Sequence, residues 1–231
     1  MITLRFVHFE NLIEFDERYI NIVQIPDKEF FKKSVYLINK YSKNIEEGNE
    51  IVLLNNDNRL EISKNILVVN DFYNIDINSN KILKSLYNDI EMQYNYEYGE
   101  DNLLINLENI FKNIGGILCF YDFELEYKRE LKVSEILKVI GLKFNEYHYD
   151  NPFDNIICLF DLISNFKLYK IIVLVNLKLF FNNEEIVEIY KSALQRNIKL
   201  LVIEYSEENY LLEYENKLYI DNEFDEFVLK K

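Results

Sequence analysis

Residues 170–205 read KIIVLVNLKLFFNNEEIVEIYKSALQRNIKLLVIEY, and their periodicity decides the fold. KIIVLVN (170–176) and KLLVIEY (199–205) are uninterrupted apolar runs of strand length, the kind buried on both faces of a sheet. Between them, Asn182 or Asn183 stands as a cap before EEIVEIYKSAL, whose apolar residues recur at helical spacing. Strand, helix and strand at this spacing form a βαβ unit, so the two strands pair in parallel. The expected fold class is α/β with a mostly parallel sheet.

Working outward, residues 1–75 are strand-rich. ITLRFVHF, YINIVQI, EIVLLNN and NILVVND are short runs rich in Ile and Val. A helix is expected over about 27–43, with Asp27 as N-cap and Phe31, Val35, Ile38 and Tyr41 on one face. Residues 76–142 read as helical throughout. Helices are expected in NSNKILKSLYNDIEMQY, capped by Asn78 or Ser79, in NLLINLENIFKNIGGILCFY and in VSEILKVIG. Gly115-Gly116 predicts a kink or break, and Gly141 a stop. Asn151-Pro152 opens a helix with Pro in its first turn. The economical architecture is one α/β sheet from a discontinuous head domain, 1–75 and 143–231, with a helical leg domain, 76–142, inserted into it.

The chain has 231 residues, 26 basic and 40 acidic side chains and a formal charge of −14. Taken alone, that balance opposes nucleic-acid binding, which draws on Lys and Arg meeting phosphates. The charge is uneven, however. Residues 204–226 hold nine acids and one Lys, whereas 27–43 hold five Lys and two acids. With 49% hydrophobic residues and only 5 Gly and 2 Pro, a dense core and few long loops are expected. Cys119 and Cys158 sit in apolar surroundings and read as buried free thiols. MITLRFVHFE lacks a signal-peptide core, and no apolar run reaches membrane-spanning length, so a cytoplasmic location without membrane partners is expected.

The segment NIVQIPDKEFFKKSVYLI (21–38) raises the question of a nucleotide site. A strand leads to a turn and then to a helix carrying Lys33-Ser34, as in a phosphate-binding loop. Such a loop needs glycines, because backbone N–H groups must close around a phosphate without Cβ interference. None is present, and Phe30-Phe31 would fill the space. The later strand that would supply a magnesium-binding acid ends in Asn176, a poor ligand. His8 and His148 have no catalytic motif around them. The chain is therefore expected not to be an enzyme.

At this point the sequence resembles the Csn-two family of CRISPR-associated adaptation proteins of type II-A systems. NDFYNIDINSNKILKSLYNDIEMQYN looks like the entry into that family's helical leg, and FELEYKRELKVSEILKVIGLKF like its acidic exit. KIIVLVNLKLFFNNEEIVEIY, KLLVIEY and KLYIDNEF follow its C-terminal half in order. NIVQIPDKEFFKKSVYLI falls where the family has an ATPase-like head without a working phosphate loop. The resemblance covers nearly the whole chain. It implies a non-catalytic homotetrameric ring with a positively lined hole, binding double-stranded DNA ends and calcium. It also implies a role in spacer acquisition beside the CRISPR integrase complex and the effector nuclease.

Two constellations bear on that implication. The acids Asp122, Glu124, Glu126, Glu130 and Glu135 can share a face whether the segment is extended or helical, and calcium takes six to eight oxygens in a tolerant geometry. The residues alone suit a solvated acidic face, and the spacing is not that of an EF-hand. The resemblance makes the five candidate calcium ligands, although Lys128-Arg129 stand where the family has further acids and offer ion pairs in place of a metal. The second constellation is Lys28, Lys32, Lys33, Lys40 and Lys43 on the first helix. Read alone they are a solvated face. Around a ring they would line a hole and contact DNA phosphates, with Lys81 and Lys84 as rivals. Alternatives are a nucleotide-hydrolysing enzyme on the same head and an acidic protein-interaction scaffold without DNA binding.

Overall fold

The computed structural model describes residues 1–44, 48–99, 101–128, 130–145, 151–208 and 210–230. It falls into two compact units, Met1–Ile75 with Tyr147–Lys231, and Asp76–Glu146. The fold is mixed α/β.

The first unit holds two sheets rather than the single one expected. The larger is built from β3 (Ile20–Gln24), β6 (Ile66–Val69), β7 (Ile171–Val175), β8 (Lys199–Glu204), β9 (Glu215–Ile220) and β10 (Glu226–Lys230), in the order β10-β9-β3-β8-β7-β6. All neighbours pair in parallel except β9 with β10. Every residue of β3 and β7 is buried, as continuous apolar strands covered on both faces require. Residues Ile171 to Val175 run parallel to Lys199 to Ile203, so the βαβ reading of 170–205 holds.

The smaller sheet is antiparallel, β2-β1-β4-β5, from β1 (Ile2–Phe6), β2 (Ile13–Phe15), β4 (Ile51–Asn55) and β5 (Asn58–Leu60). Its strands separate from the others for a visible reason. In β1, alternate residues Ile2, Leu4 and Phe6 are buried while the residues between them are not, which suits a strand with one wet face. The β4–β5 hairpin turns through Asn56 and Asp57, both at positive φ (46° and 66°), the pairing a two-residue type I′ turn demands.

Helix α1 (Lys28–Ser42) starts where expected, with the Asp27 carboxylate accepting from Phe30 N at 2.7 Å. Its inner face carries Ser34, Leu37, Ile38 and Tyr41, with Phe31 and Val35 half-buried beside the same core. After α2 (Ile62–Asn65), the unit resumes with α6 (Pro152–Phe166), opened by Asn151 and Pro152, and α7 (Asn183–Gln195), which Asn182 caps by accepting from Glu184 N and Glu185 N.

The second unit holds α3 (Asn80–Tyr98), α4 (Asn102–Leu118) and α5 (Val133–Val139). It is not helical throughout: the described residues of 119–132 form turns and irregular backbone. Helical structure continues through Gly115 and Gly116 without the expected break, since neither residue takes positive φ. Gly141 does stop α5: at φ 69° it places its N–H on Lys138 O and that of Leu142 on Leu137 O, a Schellman closure. Asn78 serves as a clasp rather than a cap, exchanging two hydrogen bonds with the Phe144 backbone at 3.1 and 2.9 Å. Cys158 is half-buried, but Cys119 is exposed, contrary to expectation, because among the described residues no element packs over the end of α4.

Candidate functional site

The β3–α1 junction is closed to phosphate by its own side chains. Gln24, at the end of β3, is buried and donates from Nε2 to Ser206 O and Glu208 O, which draws the loop after β8 over the strand end. The Asp27 carboxylate already occupies the N-terminus of α1, so the helix dipole is satisfied by an internal anion. Phe30 stacks among Phe9, His8 and Phe224, and Phe31 lies 5.6 Å from the Tyr205 ring. Ser34, the residue that would meet magnesium, is fully buried and donates to Phe30 O. Its single proton thus spent, Ser34 Oγ accepts from His8 Nε2 at 2.9 Å, which assigns the imidazole its Nε2–H form. Asn176 stands at φ 55° and accepts Tyr205 N on its side chain, tying β7 to β8. Magnesium-ATP is accordingly expected to leave the melting temperature unchanged in a thermal-shift assay; a concentration-dependent rise would contradict this reading of the junction.

Lys28, Lys32, Lys33 and Lys40 lie on the side of α1 away from its buried stripe, and Lys43 follows as its C-cap. Lys28, Lys32, Lys33 and Lys43 are exposed. Lys32 is paired with Glu29 at 3.0 Å, and the Lys40 side chain is mostly covered, 4.0 Å from Glu50 and over the Tyr36 ring. Among the described residues no carboxylate pairs with Lys28, Lys33 or Lys43, so those three carry the accessible charge. Of the rivals, Lys81 on α3 is half-buried, and loss of solvent lowers its ammonium to about 8.

The acidic segment is placed differently. Asp122, Glu124, Glu126 and Glu130 are exposed on irregular backbone. Glu135, on α5, accepts both Lys128 Nζ (2.6 Å) and Lys132 N (3.0 Å) and so closes the start of that helix. The Lys128 hydrogen bond comes first in holding its carboxyl below the usual range. Among the described residues no three acid, thiol or imidazole side chains gather as a metal would require. Arg129 and His148 lie outside the described residues.

Sequence reasoning missed a buried charged network under α7. Glu204, Glu215 and Lys217 all fall within the acidic stretch 204–226, yet all three are buried. Lys178 links the two carboxylates: its backbone N–H donates to Glu204 Oε1 at 2.9 Å, and its Nζ lies 2.8 Å from Glu215 Oε1. Tyr190 OH donates to Glu215 Oε1, and Leu212 N to Glu215 Oε2. Lys217 Nζ donates to Tyr210 O and lies beneath the Tyr210 ring. Strand period alone gave no signal for it: Glu215 and Lys217 share a face of β9 with the half-buried Tyr219, while the buried apolar residues Leu218 and Ile220 lie on the other face.

Two groups in this unit couple folding to pH with opposite signs. Burial raises Glu204 from an ordinary 4.5 to about 7. The native state therefore binds more protons across that interval, and the stability gained below 4.5 is lost as pH rises through 7. His8 moves from 6.5 to about 4, chiefly through burial and then through Lys33, so its contribution is lost as pH falls from 6.5. A Glu204→Gln variant should gain stability over the parent as pH rises from 4.5 to 7, on the order of 3 kcal/mol at full extent. Urea midpoints across pH measure it, and a pH-independent difference would contradict the assignment.

The chain is similar to known proteins in sequence and in fold. The family model described as CRISPR-associated protein (Cas_Csn2) matches residues 40–224. The chain is similar to CRISPR-associated protein Csn2 of Enterococcus faecalis, 24% identical over 202 residues, 83% of this chain and 90% of that protein. It is also 24% identical to CRISPR-associated protein Csn2 of Streptococcus agalactiae, over 59% of this chain and 62% of that one. Among solved structures, Stu0660 of Streptococcus thermophilus superposes with a TM-score of 0.58 at 12% identity, covering all of this chain and 76% of that one, a likeness of fold.

Proposed function

The chain belongs to the Csn2 family of CRISPR-associated proteins, and from that premise we propose that it is a non-catalytic, ring-forming clamp on double-stranded DNA ends that serves CRISPR spacer acquisition. In this reading the first unit is the head, with an ATPase-like but degenerate parallel sheet, and the second is the inserted leg. Four copies close into a ring, and the integrase complex and effector nuclease are its protein partners.

The observation that carries the proposal is the outer face of α1, where Lys28, Lys33 and Lys43 stand exposed, with no carboxylate partner among the described residues, in a chain of net charge −14. Four symmetric copies of such a face supply cationic contacts from every side of a threaded duplex. The contacts are to phosphates, so binding carries little sequence preference and falls steeply with salt. The filled β3–α1 junction supports a clamp that needs no nucleotide.

Calcium has no part in this mechanism. The candidate set does not fit the ion as folded: its described acids do not converge, and Glu135 is held by Lys128 and by the α5 backbone. Calcium and a chelator should therefore give the same melting temperature and the same DNA affinity. Stabilisation by calcium that Glu135→Gln removes would contradict this.

Gel retardation of linear duplex against covalently closed circles of the same length tests the clamp. Retention of the linear form alone is expected. Equal retention of both would replace threading with side-on binding, and retention of neither would favour the protein-only scaffold.

A further inference from the structure

Tyr36 stands on the side of α1 away from the core. The helix buries Ser34, Leu37, Ile38 and Tyr41, and the helical repeat carries Tyr36 to the opposite side. It is 63% exposed, whereas the other aromatic rings of the helix, Phe30, Phe31 and Tyr41, pack in or against the core. A single ring at a protein surface is ordinary; this one is set apart by its surroundings. Of the residues three and four positions away, its neighbours on the helix face, Lys32, Lys33 and Lys40 are cations and only Asn39 is not. The Lys40 ammonium lies 5.9 Å from the ring centroid, within reach of the negative face of the ring. Among the described residues nothing bonds the Tyr36 hydroxyl, so a neutral donor is left open amid positive charge.

We propose that Tyr36 is a positioning contact of the DNA surface, its hydroxyl donating to a phosphate oxygen that Lys33 draws to the same face. This rests on the clamp reading and adds to it a contact of a different kind. Ammonium groups on flexible stems meet phosphates in many positions, and their attraction is one that salt erodes. A tyrosine side chain is rigid by comparison and carries no charge. Its hydrogen bond is directional, so it fixes the height of the sugar–phosphate backbone against the helix where lysines alone would let the duplex slide. Stacking on a base is the poorer use of this ring. The bases of a threaded duplex are stacked on one another, and Lys40 already lies against the ring. A hydroxyl among cations meets instead the group that the cations attract, and phosphate oxygens accept from Tyr as they do from Lys and Arg.

The test is Tyr36→Phe in the full chain, which keeps the ring, its contact with Lys40 and the net charge and removes only the hydroxyl. Fluorescence anisotropy with a linear duplex, repeated across salt concentrations, gives the readout. Affinity should fall about 10-fold at every salt concentration, the loss expected for a hydrogen bond to a charged group. The slope of log affinity against log salt should stay that of the parent, because no ammonium has left a phosphate. Two parallel lines are therefore expected, and the melting temperature should hold, since the side chain is exposed. Coincident lines for parent and variant would overturn the hydroxyl contact and leave the clamp standing. A change of slope would also overturn it, because Tyr36 would then act by holding Lys40 in place and not by a bond of its own. A parent that leaves the duplex unbound overturns the clamp, and this contact with it.

Discussion

Replacing Lys28, Lys33 and Lys43 together by Glu lowers affinity for linear duplex by 100-fold or more on the order-of-magnitude scale set by phosphate contacts at moderate salt. Each phosphate that no longer meets an ammonium takes about 0.9 off the slope of log affinity against log salt, and symmetry multiplies each substitution by four. The slope of the triple variant should therefore fall by several units. Lys32→Glu alone should do much less, because Glu29 already offsets that ammonium at 3.0 Å. Fluorescence anisotropy at several salt concentrations makes the comparison. All these side chains are exposed, so melting temperature should hold and report that the fold is intact. A triple variant with the parent's affinity and slope would remove α1 from the DNA surface and transfer attention to α3, where Lys84 is the next candidate.

The second large effect is on stability. Lys178→Met takes the ion-paired ammonium away from Glu215, a fully buried carboxylate, and leaves it hydrogen-bonded only to neutral donors, Tyr190 OH and Leu212 N, with the Lys217 ammonium acting on it through space alone. Removing one partner of a buried pair typically costs about 3–5 kcal/mol, because the remaining charge stays uncompensated. Replacing both groups is far milder, so Lys178→Met with Glu215→Gln should recover most of the loss. Urea unfolding of the parent, the single and the double variant completes the cycle. A single variant within about 1 kcal/mol of the parent would mean that the network adds little to stability.

The parts of the fold legible in sequence were those where local and global signals agree. The run KIIVLVN is apolar at nearly every position because β7 is covered on both faces, and Asn182 caps α7 because the residue type and the turn chemistry coincide. The separate antiparallel sheet was not legible from the apolar runs alone, since ITLRFVHF and YINIVQI look alike by composition. What distinguishes them is alternation, Ile2, Leu4 and Phe6 inward, against uniform burial in β3. The Asn56-Asp57 turn was the other available signal, hidden because it lacks the usual glycine. Gly115-Gly116 misled for the converse reason: glycine weakens a helix by about 1 kcal/mol but does not end one whose neighbours propagate it.

For the candidate site, the Lys face of α1 followed from helical spacing, but which lysines are already neutralised did not, because Glu29 and Glu50 act through side-chain geometry. The acids of 204–226 were read by charge, and charge says nothing of burial; Glu215 and Lys217 are inside because β9 lies beside the fully buried β3, which no local pattern of ENKLYI announces. The acids of 122–135 could converge on paper under either backbone geometry. The described residues adopt neither regular form over 122–132, and Lys128 claims Glu135 instead.

The most direct measurement of the central claim is the mass of the assembled particle, by size-exclusion chromatography with light scattering, without and then with a blunt linear duplex long enough to thread it. The account predicts four chains alone and four chains on one duplex, with the complex dispersed at high salt. A single chain at every concentration that leaves the duplex unshifted would contradict it.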